Sequence, residues 1–132
     1  MRTLIVEDDF TSRLLLQEML KEQGVSHIAA NGVEAISAVR AALEAGEPYD
    51  LICLDIMLPE VSGQDVLKAI RALEEEFSVA LQQAVKVVMT TALSDPRNVY
   101  NAYRNHCDAY LTKPIRKSDL MTELRGMGLV SG

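Results

Sequence analysis

A chain of 132 residues with 48% hydrophobic and 24% charged side chains is long enough to bury one core unaided, and residues 1–132 are expected to form a single domain with no attached output domain. No apolar run approaches the ~18 residues that a membrane span requires, and the start MRTLIVEDD lacks the apolar region and cleavage site of a signal peptide, which implies a cytoplasmic protein that does not insert into membranes. A net charge of −6 argues against direct nucleic-acid binding, because phosphate contacts need clustered Lys and Arg.

Short β-rich runs alternate with longer segments of 3.6-residue period, which predicts βα units and a parallel sheet. The strands are expected at Thr3–Val6, Val25–Ala30, Leu51–Leu54, Val85–Met89 and Ala109–Leu111. Their nearly continuous apolar character suits strands covered by helices on both faces. Between them, Leu16 and Leu20, then Ile36, Val39 and Leu43, then Val66, Ile70, Leu73 and Phe77 recur at helical spacing and mark buried faces. Asn31 followed by Glu34 predicts a capped start for the second helix, and Asp95 before Pro96 a start for the fourth. The segment from Glu74 to Ala84 is long for a connection, and its three consecutive glutamates read as a solvated helix end. Of Tyr100 and Tyr103 on the fourth helix, one is expected packed and the other exposed. Cys53 and Cys107 have neither metal-ligand nor redox spacing and read as buried thiols of a reducing compartment.

In an open parallel sheet, ligands bind beyond the carboxyl ends of the strands. Glu7-Asp8-Asp9, Asp55, Thr90-Thr91 and Lys113-Pro114 all fall there. One acid at a strand end is commonly a helix cap, but three acids brought to one edge repel one another unless a cation lies among them. Hard oxygen ligands select Mg²⁺ or Mn²⁺. Such an ion together with Lys113 would balance the three charges of Glu7, Asp8 and Asp55 and keep Asp55 ionised and nucleophilic.

The segments LIVEDD, NGVEA, DLICLDIMLPEVSG, VVMTTA and DAYLTKPI, in this order along almost the whole chain, resemble the response-regulator receiver domains typified by the CheY-like chemotaxis regulators. The resemblance implies a flavodoxin-like (βα)5 fold, a doubly wound five-stranded parallel sheet in three α/β/α layers. It makes Asp55 the phosphoacceptor, with Asp8 a direct ligand of Mg²⁺ or Mn²⁺, Glu7 acting through a metal-bound water and the backbone carbonyl of Met57 a further ligand. Thr91 and Lys113 would each bond a phosphoryl oxygen, Thr91 and Tyr110 would form the switch, and the Lys113–Pro114 bond would be cis. Asp9 is read as a helix cap rather than a metal ligand, while Met57 and Leu93 would flank the path of attacking water.

The function implied is that of a stand-alone response regulator of two-component signalling. It would receive its phosphoryl group from a sensor histidine kinase or phosphotransfer protein, promoting its own phosphorylation and dephosphorylation rather than turning over a metabolite. A downstream protein would dock on the face made by helix four, strand five and helix five, and the protein itself would be a monomer or weak dimer. Three other readings fit less well. A haloacid-dehalogenase-like phosphatase wants an acid where Met57 stands, and a flavodoxin-like electron carrier wants a Ser/Thr/Gly phosphate loop where Glu7-Asp8-Asp9 would repel phosphate. A phosphorylation-independent interaction module leaves the full set of acids, Thr91 and Lys113 without purpose. His27 and His106 stand apart from the acidic edge and read as structural residues.

Overall fold

A computed structural model describes residues 1–92 and 96–131; Asp95, expected as a helix cap, and Leu93, expected to flank the water path, lie outside the described residues. In chain order the elements are β1 (Arg2–Val6), α1 (Phe10–Leu20), β2 (Val25–Ala29), α2 (Gly32–Glu44), β3 (Leu51–Asp55), α3 (Gly63–Glu76), β4 (Lys86–Thr91), α4 (Pro96–Arg104), β5 (Ala109–Thr112) and α5 (Lys117–Gly126). The strands pair in parallel in the order β2-β1-β3-β4-β5. That is the flavodoxin-like, doubly wound sheet that the alternating periodicity and the resemblance imply.

Strand alternation sends successive side chains to opposite layers. Leu4, Val6, Ile52, Leu54, Val87 and Met89 pack with Ala35 and Val39 of α2, Val66 and Ile70 of α3 and Ala102 of α4. Ile5, Cys53, Val88 and Ala109 pack on the other face with Leu16 and Leu20 of α1 and Leu120 and Leu124 of α5. Three layers result, and the strand order reverses between β1 and β3, where a ligand crevice is expected.

Helix starts bring α1 and α3 close to that crevice. Asp9 caps α1 by accepting from Ser12 N at 2.9 Å, and Ser62 caps α3 by accepting from Asp65 N at 3.2 Å. Gly63 allows α3 to abut β3, since a Cβ there would lie 2.2 Å from the Asp55 carbonyl oxygen. At α2, Asn31 accepts from Glu34 N at 2.9 Å, while Glu34 reaches back to Ala30 N at 3.3 Å, one residue before the cap.

Four expectations are corrected. The strands β3, β4 and β5 run one or two residues further than the apolar pattern suggests, because backbone pairing continues under the polar ends and takes Asp55 and Thr91 into the sheet. Only Ala29 of β2 is buried, because β2 is an edge strand. Glu74 is not solvated: it is 7% exposed, accepting from Val85 N at 2.7 Å and from Arg71 at 2.7 Å. Arg71 also donates to the carbonyls of Val85 and His106, each at 2.8 Å, and so ties α3 to the segments that lead into β4 and β5. Tyr100 and Tyr103 are both exposed, at 65% and 50%, since α4 offers mainly Ala102 to the core.

Candidate functional site at the carboxyl edge of the sheet

The site is built from the residues that end each strand. Glu7 follows β1 and is fully buried, Asp8 is exposed beside it, and Asp55 is the buried last residue of β3. Carboxylate oxygens of these three residues lie within 4.8 Å of one another. From the loop after β5, held by a bond from Lys113 N to the Thr91 carbonyl at 2.7 Å, Lys113 sends its ammonium into the group. Its Nζ donates to Glu7 Oε2 at 2.8 Å and to Asp55 Oδ2 at 3.0 Å. The other Asp55 oxygen accepts from Met57 N at 3.0 Å, and Glu7 Oε1 accepts from Asp9 N at 3.1 Å.

The electrostatics follow from this crowding. Burial raises the Glu7 carboxyl above its ordinary range, Lys113 opposes that rise, and the charge of Asp55 adds to it. Burial pulls the Lys113 ammonium down, but its bonds to Glu7 and Asp55 and their charges together hold it above the ordinary lysine range. Asp9 stays low through its bonds with Ser12, consistent with capping and not with the acidic group. Burial pushes the Cys53 thiol up to about 12 and the Cys107 thiol up to about 11, which makes both poor nucleophiles.

Among the described residues, one ammonium against three carboxylates leaves the group with an excess of negative charge, and the side-chain atoms it offers a cation are hard oxygens. A small hard dication fits such a donor set. Glu7, Asp8 and Asp55 are the side chains that would hold it, and the Asp55–Met57 bond keeps the Met57 backbone beside them.

The residues expected at the switch lie on the neighbouring strands. Thr91 is buried and ends β4 in register with Thr112, and Tyr110 lies in register with Met89. Tyr110 is half-buried and packs against the core layer beneath α3 and α4. The Lys113–Pro114 peptide is cis. The approach of Lys113 to Asp55 is the expected one, whereas its direct bond to Glu7 was not legible in the sequence, which gives no distances across 106 residues. His27 stands apart, its Nδ1 2.7 Å from Tyr49 Oη, and His106 lies in the α4–β5 turn with φ of 71°.

Comparison with known proteins points the same way. Residues 3–125 match the family described as response regulator receiver domain. The chain is 30% identical over 125 residues to the osmosensing histidine protein kinase SLN1 of Saccharomyces cerevisiae, a match covering 93% of this chain and only 10% of that protein's length. The receiver domain of the response regulator Ssk1, solved with the S. cerevisiae histidine phosphotransfer protein Ypd1, superposes with a TM-score of 0.81 at 28% identity, covering 97% of this chain and 88% of that one. The receiver domain of the histidine kinase CKI1 from Arabidopsis thaliana, solved with Mg²⁺ and BeF₃⁻, gives 0.80 at 25% identity over 96% and 89%.

Proposed function

Because the chain belongs to the response regulator receiver domain family, we propose that it accepts a phosphoryl group on Asp55 from a phosphohistidine and signals by phosphorylation-dependent docking. The observation that carries this reading is the buried Asp55 carboxylate, held between the Lys113 ammonium at 3.0 Å and the Met57 amide at 3.0 Å in a pocket with two more acids.

One Asp55 oxygen attacks phosphorus and forms the P–O bond as the N–P bond of the donor breaks. The electron pair stays on the imidazole nitrogen, which leaves as neutral imidazole when its other nitrogen carries a proton. Little covalent chemistry is asked of the protein, which positions groups and neutralises charge. Lys113 is already at Asp55 and needs only a small reorientation to meet a phosphoryl oxygen. Thr91, ending β4, would meet another. Glu7, Asp8, Asp55 and the Met57 carbonyl would hold Mg²⁺ or Mn²⁺, with Glu7 acting through water. When bound, that ion supplies charge neutralisation for the phosphoryl oxygens. Hydrolysis reverses the state when water attacks phosphorus, releasing inorganic phosphate and restoring the Asp55 carboxylate.

The donor would be a sensor histidine kinase or a phosphotransfer protein in the cytoplasm. The readout is a shift of Thr91 toward the phosphoryl group, inward rotation of Tyr110 and remodelling of the α4-β5-α5 face. Exposed Tyr100 and Tyr103 on α4 suit docking there, since aromatic side chains are enriched in interfaces. No helix among the described residues is long and apolar enough to cross a membrane. The direct test is transfer of radiolabelled phosphate from a phosphohistidine donor to the chain. Wild type should become labelled and Asp55→Asn should not; equal labelling of the two would remove the basis of the reading.

A further inference from the structure

Thr90 is the penultimate residue of β4, in register with Asp55 on β3 and with Leu111 on β5. It is 1% exposed, and its hydroxyl has no hydrogen-bond partner among the described residues. Alternation fixes the layer it faces. Val88, two residues earlier, packs with Cys53 against α1 and α5, whereas Met89 packs on the opposite face. Thr90 and Asp55 stand two residues beyond Val88 and Cys53, so both point into the α1–α5 layer.

Lys113 starts beyond β5, yet its ammonium reaches Asp55 on β3 and Glu7 beyond β1. In the order β1-β3-β4-β5, the side chain must cross β4, and the residue on that face at that level is Thr90. A threonine in a buried strand is often only a β-branched filler. Such a filler normally bonds its hydroxyl to a nearby carbonyl, and valine would fill the same space with no desolvated hydroxyl. Here the unsatisfied hydroxyl belongs to the register partner of Asp55, on the face that the Lys113 side chain crosses to reach it, a position that calls for a partner absent in the resting arrangement.

We propose that Thr90 is a positioning residue for Lys113. The ammonium has three hydrogens, two of them directed here at Glu7 and Asp55. With a phosphoryl group on Asp55, the ammonium turns to a phosphoryl oxygen, and the Thr90 hydroxyl accepts one of the remaining hydrogens and holds it there. This inference rests on the reading of Asp55 as phosphoacceptor.

The test is calorimetric titration of beryllofluoride, with Mg²⁺ in excess, into wild type, Thr90→Val and Thr90→Ser, alongside the melting temperature of each without beryllofluoride. Thr90→Val should melt no lower than wild type, since an unpaired hydroxyl is removed, yet bind beryllofluoride roughly tenfold more weakly, the order of one hydrogen bond to a charged group. Thr90→Ser keeps the hydroxyl and should bind within about twofold of wild type. Wild-type affinity in Thr90→Val overturns the inference, as does an equal loss in Thr90→Ser. A fall in melting temperature that tracks the loss of affinity would make Thr90 a packing residue and also overturn it. If wild type binds no beryllofluoride, the phosphoacceptor reading falls and this inference with it; normal wild-type binding with an unaffected Thr90→Val removes this inference alone.

Discussion

Adding Mg²⁺ should raise the stability of the unphosphorylated protein, and Asp8→Asn should blunt that response. The carboxylate oxygens of Glu7, Asp8 and Asp55 lie within 4.8 Å of one another, so at an effective dielectric near 20 each like-charged pair repels by ~3.5 kcal/mol. Exposure of Asp8 reduces its share through solvent screening. Lys113, 2.8 Å and 3.0 Å from two of the acids, offsets much of this repulsion but leaves the group short of positive charge. A cation at ten times its dissociation constant stabilises by about 1.4 kcal/mol. With an unfolding entropy of about 2.1 cal/mol/K per residue over 132 residues, that is a rise in Tm of about 5 °C. If Asp8→Asn weakens binding tenfold, the same Mg²⁺ concentration gives about 0.4 kcal/mol, or about 1.5 °C. Without Mg²⁺ the variant should melt no lower than wild type, since a repelling charge is gone. Differential scanning fluorimetry across a Mg²⁺ titration reads all of these shifts. A wild-type Tm indifferent to millimolar Mg²⁺, or an Asp8→Asn response as large as wild type, would refute the reasoning.

Three other outcomes follow from the same geometry. Thr91→Ala should still take a phosphoryl group on Asp55 but respond poorly to it. Amide-exchange mapping with beryllofluoride should show changes over 96–110 and 117–124 in wild type and their loss in the variant, whereas wild-type changes confined to the Asp55 pocket would sink the switch. Lys113 has its folded pKa raised, so its stabilising contribution is complete below the ordinary lysine value of 10.5 and disappears as pH rises through the folded value. The stability gap between wild type and Lys113→Met in urea should therefore stay level up to that pH and shrink above it; a gap that persists at higher pH would contradict the ion pairs. Glu74→Leu strips the buried Val85 amide and Arg71 of a shared acceptor and should cost about 2–3 kcal/mol in urea denaturation with beryllofluoride affinity kept, while a loss below about 1 kcal/mol would mean that the Glu74 bonds contribute little.

The sequence was legible where one local pattern decides the outcome. Asn31 and Glu34 are three residues apart, so capping chemistry alone locates the start of α2, and the Val66, Ile70, Leu73 series alone locates the buried face of α3. Asp55 and Lys113 could be assigned to one edge because strand ends converge in any parallel sheet. What stayed hidden depends on partners distant in sequence. The exposure of β2 follows from its edge position, which its apolar residues do not encode. Glu74 looks like its neighbours Glu75 and Glu76 until the Val85 amide, eleven residues on, turns out to need it. The motif singles out Thr91 and gives Thr90 no role; only the register with Asp55 and the missing hydrogen-bond partner, both set by the fold, draw attention to Thr90.

The central claim is that the Asp55 carboxylate receives the phosphoryl group, and intact-mass spectrometry after incubation with Mg²⁺ and a small acyl phosphate tests it most directly. Wild type should gain the mass of one phosphoryl group, and borohydride reduction of the adduct should convert Asp55 to homoserine in the peptide map. Asp55→Asn, whose amide is a poor nucleophile, should gain nothing. An adduct that persists undiminished in Asp55→Asn would contradict the account.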